Sequence, residues 1–309
     1  SKLALWQAYY IKDLLEKENP EVAFEIVIIK TTGDKILDVA LSKIGDKGLF
    51  TKELENALLN QEIDLAVHSM KDVPTKLADN TFISAMPIRE LTHDAFVSNK
   101  YKSFAELPSG AKVGTSSLRR KAQLVSARKD LEFIDIRGNV DTRLSKLDNN
   151  EYDAIILAYA GLHRLGLDDR ITEKISFETS LPATGQGAVG IQTRIEDDFT
   201  NLVVSKINHL ETYFSVNIER VFLNSLEGGC QIPVACQAYR EKDSILIKGL
   251  VANLDGTIVL QDESIFELSR EELISFERET IIEKAKEYGL DLANKLISKG
   301  ALDIVKSLR

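Results

Sequence analysis

Over its first two-thirds the chain alternates short branched or apolar runs with segments of helical spacing, and few architectures accept that rhythm. Residues 22–30 (VAFEIVIIK) are rich in branched side chains and predict a strand. Residues 50–60 place Leu54, Leu58 and Leu59 at helical spacing, and residues 63–67 and 82–86 read as strands. The pattern restarts after Pro87: a strand at 111–114, a helix from Ser117, a strand at 131–136, a helix over 140–147 and a strand at 154–157. Strands alternating with helices predict parallel sheets with helices on both faces.

The last third breaks the rhythm. A helix-like stretch at 208–224 leads into Gly228-Gly229, and residues 231–239, 244–253 and 257–268 read as three successive strands. Leu254-Asp255-Gly256 between two of them is a hairpin signal. A helix over 276–298 follows, with Gly300 where a helix C-terminus favours glycine. This predicts a small α+β domain. A chain of 309 residues is long enough for two or three domains.

Composition excludes several function classes. A net charge of −9 argues against a generic nucleic-acid binder, which needs a basic surface. No apolar run approaches the roughly 20 residues of a membrane helix. Two cysteines without a visible secretory signal read as a reducing, cytoplasmic setting. The histidines at 68, 93, 163 and 209 fall in no metal-binding spacing, so no metal site is expected.

Ligands of open parallel sheets bind at the carboxyl ends of the strands, and polar clusters recur there. His68-Ser69-Met70-Lys71-Asp72 follows the 63–67 strand. Gly114-Thr115-Ser116-Ser117-Leu118-Arg119-Arg120 follows another, and its arginines fall in a first helical turn. Positive charge there opposes the helix dipole, so a purely structural design would place an acid instead. Arg137-Gly138-Asn139 with Thr142 and Arg143 repeats the arrangement, Arg164 follows the next strand, and Lys43 and Lys47 sit in a glycine-containing loop. Any one of these basic residues alone reads as a solvated surface charge before it reads as a ligand contact. Together, in an acidic chain, they predict a positively charged cleft for a small polyanion. No phosphate-loop or dinucleotide fingerprint is present, and Gly185-Gln186-Gly187 follows no strand and reads as a crossover between domains. Separated arginines without a phosphate loop suit a ligand with many carboxylates. Cys230, behind Gly228-Gly229 and ahead of Pro233, lies on a turn where a thiol is either incidental or chemically employed, while Cys236 in a strand-like run reads as core.

Seven ordered blocks carry a resemblance to the porphobilinogen deaminase (hydroxymethylbilane synthase) family: KGLFTKELE from Lys47, DLAVHSMKDVP from Asp64, VGTSSLRR from Val113, RGNVDTRLSKLD from Arg137, DAIILAYAGLHRLG from Asp153, LPATGQGAVG from Leu181 and LEGGCQIPVA from Leu226. The resemblance implies an α/β fold of three domains. The first two are periplasmic-binding-protein-like with mixed sheets, at 1–87 with 188–206 and at 92–182. The third, 207–309, is α+β with a three-stranded antiparallel sheet and carries the cofactor cysteine.

It further implies a transferase that joins four porphobilinogen units head to tail with loss of ammonia. They extend a dipyrromethane primer held by a thioether to Cys230, and the linear tetrapyrrole is then released by water. Asp72 matches the catalytic aspartate. Lys43, Lys47, Lys71, Arg119, Arg120, Arg137, Arg143 and Arg164 match positions that bind acetate and propionate side chains, with Ser69, Thr115, Ser117 and Gly138 adding hydrogen bonds. Asp34, Phe50 and Gln186 are further candidates. Tyr9, Tyr10 and Phe82 are candidates to flank the cleft, although aromatic side chains are more often core. The family pattern begins with a strand and an arginine ahead of the residue matching Ser1, and the resemblance implies that the natural protein has both. Family members are usually monomeric. The competing reading is a receptor of binding-protein build for a polycarboxylate, without catalysis; Asp72 and Cys230 argue against it, since a receptor needs neither.

Overall fold

The computed structural model describes residues 1–30, 51–227 and 232–308. Helix α1 (Lys2–Glu18) opens the chain, its first turn capped by the Ser1 hydroxyl, which accepts the Ala4 N–H. It buries Gln7, Ile11 and Leu15, one stripe at spacing of four. Residues 22–30 form no strand, contrary to their branched composition. A strand is a paired object, and none of the described strands pairs with this segment; Val27 and Ile28 stay 53% and 77% exposed. Tertiary pairing overrides propensity here.

Helix α2 (Lys52–Leu59) precedes β1 (Ala66–Ser69), a 3₁₀ turn at Met70–Asp72 and β2 (Thr81–Ala85). The chain then crosses to a second sheet through β3 (Asp94–Val97), β4 (Lys112–Gly114), α3 (Leu118–Ala127), β5 (Glu132–Ile134), α4 (Val140–Asp148), β6 (Ala154–Ala158), α5 (Tyr159–Arg164) and β7 (Glu173–Lys174). It returns as β8 (Val189–Arg194), which runs between β1 and β2 and is antiparallel to both. The first sheet is therefore antiparallel throughout its described strands, not parallel. β1 and β2 point the same way, as alternation suggests, but the returning strand separates them.

The second sheet has the order β5-β4-β6-β3-β7 and is mixed: β4 is parallel to β5 and β6, and β3 is antiparallel to β6 and β7. Its central strands are apolar on both faces because both faces are covered. Along β6, Ala154 and Ile156 enter one core with Phe96 and Leu124, while Ile155 and Leu157 enter another with Leu144 and Leu162.

After α6 (Asp198–Ser205) and α7 (Leu210–Glu227) comes the expected meander, β9 (Val234–Glu241), β10 (Ser244–Ala252) and β11 (Val259–Glu267), all antiparallel. Then follow α8 (Arg270–Ser275), α9 (Arg278–Ser298) and α10 (Ala301–Ser307), the last opened by Gly300 at φ 105°. The core under this sheet is continuous with the first sheet: Met70, Ile83, Met86 and Ala188 pack with Phe214, Phe222 and Leu292 in one cluster. Contact with the second sheet is smaller, a patch around Ala122, Leu181, Ala235 and Leu250. Among the described residues no helix is long and apolar enough to cross a membrane.

Candidate active site

The site is assembled where β1, β4, β5 and β6 end. β1 runs directly into the 3₁₀ turn that carries Lys71 and Asp72. That turn is held from three sides. Met70 is buried beneath it. Gly185, at φ 76°, lies so close that an added Cβ would sit 3.0 Å from the Met70 carbonyl carbon. Arg220 from α7 donates to the carbonyls of Val73 and Pro74 at 3.0 and 2.7 Å. Lys71 and Asp72 are left exposed to the cleft but ringed by protein. Burial pushes the Asp72 carboxyl up, and the neighbouring Lys71 holds it back. Burial pulls Lys71 down to about 8, with Asp72 opposing and Arg120 reinforcing. Ser69 is half-buried at the end of β1.

At the end of β4, Thr115 is buried and Ser117 caps α3, its hydroxyl accepting the Arg120 N–H at 3.2 Å. Arg119 and Arg120 do occupy the first helical turn, but each is only 7% exposed. Both are tied to Asp94 of β3, which sequence reasoning missed. Asp94 accepts from Arg119 at 2.8 and 3.1 Å, from Arg120 Nε at 2.8 Å, from Ser180 at 2.7 Å and from Gln186 at 3.0 Å. Burial alone would push this carboxyl up. Arg119 and Arg120 override it and hold the group well below the usual carboxylate range. The signal was an acid heading the apolar strand Asp94-Ala95-Phe96-Val97, since a buried acid requires cationic partners.

After β5, Gly138 at φ 107° turns the chain into α4, and Asn139 caps that helix by accepting the Thr142 N–H at 3.1 Å. A Cβ at position 138 would fall 2.6 Å from Thr142 Cγ2, so glycine is required on both counts. Arg143 donates through Nε to the Gly138 carbonyl at 2.8 Å. Burial, with Arg120 and Arg137 nearby, lowers Arg143 to about 10. The buried Nε of Arg137 has no hydrogen-bond partner among the described residues. Arg120, Arg137 and Arg143 thus form a cluster in which Asp94, already shared by two guanidinium groups, is the described counter-charge.

Arg164 and Gln186 are placed differently. Arg164 on α5 donates to the Gly187 carbonyl at 2.8 Å, with its guanidinium 5.7 Å from the Trp6 ring centroid. Gln186 is fully buried and bonds the Thr92 carbonyl, Asp94 and Arg119. Both brace the crossover at 185–187, which is the role the sequence suggested for its glycines. Gly187, at φ 83°, has no room for a Cβ beside the Glu90 carbonyl, 2.7 Å away. Tyr9 is 54% exposed rather than core, Tyr10 lies edge-on to Trp6 at 5.0 Å, and Phe82 sits under the Arg278 guanidinium at 5.2 Å. Asp34, Lys43, Lys47, Phe50 and Cys230 lie outside the described residues.

A cationic wall with an unpartnered guanidinium nitrogen, facing a lysine–aspartate pair, fits a ligand bearing several carboxylates. Dipyrromethane is such a ligand, and Arg120, Arg137, Arg143 and Lys71 are the described residues able to hold it.

Residues 1–201 match the family model described as porphobilinogen deaminase, dipyromethane cofactor binding domain, and residues 213–298 match the porphobilinogen deaminase C-terminal domain. A porphobilinogen deaminase from Carboxydothermus hydrogenoformans is 48% identical over 309 residues, covering 100% of this chain and 95% of the relative. One from Chlorobium phaeobacteroides is 44% identical, covering 100% and 96%. Among solved structures, a periplasmic substrate-binding protein of an ABC transporter from Coxiella burnetii aligns with a TM-score of 0.42 at 12% identity, covering 65% of this chain and 88% of that one.

Proposed function

Because the chain belongs to the porphobilinogen deaminase family, we propose that the site described above performs that family's reaction with Asp72 as its acid–base centre and the arginine cluster as its carboxylate clamp. The chain is a hydroxymethylbilane synthase, a transferase of tetrapyrrole biosynthesis that uses a dipyrromethane cofactor. The receptor alternative is not favoured by this membership.

When bound, the cofactor supplies a covalently held primer to which each new pyrrole unit is joined, and Cys230 is the residue we assign to its attachment. The protein's own part is electrostatic. Loss of ammonia from porphobilinogen leaves positive charge spread onto the pyrrole nitrogen. The Asp72 carboxylate, on a turn braced by Gly185 and Arg220, is suited to stabilise that charge and to move the N–H proton. Each unit adds two carboxylates, so the binding wall must supply cations in excess of its own acids. Arg120, Arg137 and Arg143 do this from the second sheet, and Lys71 from the first. Arg119 sits behind them with Asp94, Thr115 and Ser117 fix the strand-to-helix turn, and Gly138 lends a tight approach. Lys43 and Lys47 complete the clamp in this reading, and Ser69 adds a hydroxyl at the end of β1.

One observation carries the assignment: Lys71 from the first sheet, beside Asp72, lies within electrostatic reach of Arg119, Arg120 and Asp94 from the second. A site built across two domains can open and close on a growing chain. We also infer a cytoplasmic monomer acting on a small molecule rather than on nucleic acid or a membrane; the net charge of −9 supports that reading.

The test is the intact mass of the purified protein and of Cys230→Ser, each before and after incubation with porphobilinogen. Added mass equal to a dipyrromethane unit, absent from Cys230→Ser, is the expected result. A serine variant that still carried the unit would overturn the attachment site. A wild type that stayed unmodified and consumed no porphobilinogen would overturn the reaction itself.

A further inference from the structure

A cavity of about 530 Å³ lies away from the arginine cleft, between the linker leading into β3 and the third domain. Its lining includes Gln237 and Arg240 of β9, Thr92 of the linker and Arg270 of α8, and it shares no residue with the site assigned above. The volume falls within the range of small-molecule sites.

Two features mark it as more than a packing gap. The side chains of Gln237 and Arg240 are each only 7% exposed, and each keeps a buried polar atom without a hydrogen-bond partner among the described residues. For Arg240, Nε donates to Glu211 at 2.6 Å and Nη1 to the Leu268 carbonyl, leaving Nη2 unused. For Gln237, Nε2 is bonded to the Thr92 hydroxyl at 2.9 Å, leaving Oε1 unused. A hydroxyl both donates and accepts, so the amide can turn about its last bond, keep Thr92 and offer an N–H instead. Buried polar atoms in native proteins are nearly always satisfied, and two at one cavity call for a partner.

The surrounding charge and polarity indicate which partner. Glu211 is neutralised by Arg240, and Glu219 by Arg89 through a bidentate pair at 2.7 and 2.8 Å. Arg270 is exposed and makes no ion pair or hydrogen bond through its side chain among the described residues, which leaves the cavity one positive charge in excess. Leu210 and Leu273 supply apolar lining, and Ile88 and Ile274 stand 65% and 72% exposed at its edge. Exposed isoleucines beside an unpaired guanidinium suit an anion with an apolar body.

We propose that this cavity is a binding site for a small monocarboxylate with an apolar body, its carboxylate taken by Arg240 and Arg270 and its body lying against Ile88, Leu273 and Ile274. The site is connected to the arginine cluster by one hydrogen-bonded path: Gln237 to the Thr92 hydroxyl, the Thr92 carbonyl to Gln186 at 2.7 Å, and Gln186 to Asp94 at 3.0 Å. A ligand here would hold the linker against the third domain.

The experiment is calorimetric titration of the full chain with phenylacetate and with its neutral counterpart 2-phenylethanol. It is repeated on Arg270→Ala and Ile274→Asp, both exposed positions where the fold tolerates change. Saturable binding of phenylacetate is expected, weakened about tenfold or more in each variant, with 2-phenylethanol binding at least about tenfold more weakly than the acid. Absence of saturable binding at millimolar phenylacetate would overturn the proposal. So would equal affinity for the alcohol, or an affinity for the acid that neither variant changes, since the acid would then be bound elsewhere.

Discussion

Arg119 meets Asp94 through two hydrogen bonds of 2.8 and 3.1 Å, and both side chains are buried. The arginines that looked in sequence like free ligand donors are thus anchored from behind. Asp94 is the anchor: it receives five hydrogen bonds and leaves the cluster cationic on balance.

Asp94→Asn removes that anchor's charge while keeping its shape. Two buried guanidinium groups would lose their counter-charge, at a cost of about 3–5 kcal/mol. Urea unfolding measures the loss. The folded Asp94 carboxyl lies below its unfolded value, so its contribution to stability is complete above the ordinary carboxylate range, near pH 4, and is lost as pH falls below it. Wild type should therefore lose stability in acid more steeply than Asp94→Asn. Parallel acid profiles would show that the charge is not what Asp94 contributes.

Asp72→Ala should reduce turnover of porphobilinogen roughly 10²–10⁴-fold, the scale of a lost acid–base group, while leaving the midpoint of thermal unfolding unchanged. The residue is exposed to the cleft and its turn is held by Met70 and Arg220 rather than by its own side chain. A variant with near-normal turnover would remove Asp72 from the mechanism.

Lys71, lowered to about 8, is charged below that pH and neutral above it. Its attraction for substrate carboxylates should fade as pH rises through 8, so KM should climb there. Lys71→Arg keeps its charge across this range and should show a flat KM. Matching profiles for the two proteins would assign the alkaline limb to another group.

The Cys236 thiol is fully buried, and burial pushes its pKa well above the ordinary value, so its reactive thiolate is scarce. Iodoacetamide at neutral pH should leave Cys236 unmodified in the folded chain and modify it after denaturation, read by peptide mass mapping. Cys236→Ala should remain active. Rapid labelling of Cys236 in the native protein would contradict its place in the core.

Much of this was legible because local chemistry and final structure agree. Ser117 and Asn139 are of the residue types that favour helix caps, and both cap their helices. The hairpin residues Leu254-Asp255-Gly256 separate β10 from β11 as their type suggests. Misreadings arose where a partner distant in sequence decides the outcome. Residues 22–30 carry strand chemistry without a described neighbour to pair with. Asp94 meets Arg119 and Arg120 only after the chain has passed through β4. The stripe Gln7, Ile11, Leu15 of α1 is present in the sequence but poorly marked there, because a polar residue heads it.

The position of β8 has a consequence for how the protein is made. Among the described strands, β1 and β2 are joined only through β8, which a ribosome completes more than 100 residues after β2. The first sheet must wait, unpaired at its centre, while the whole second sheet emerges and folds. That interval exposes the edges of β1 and β2 to other nascent chains. The first domain to be translated is among the last to be finished, so truncated products ending before residue 189 should be ready clients for chaperones.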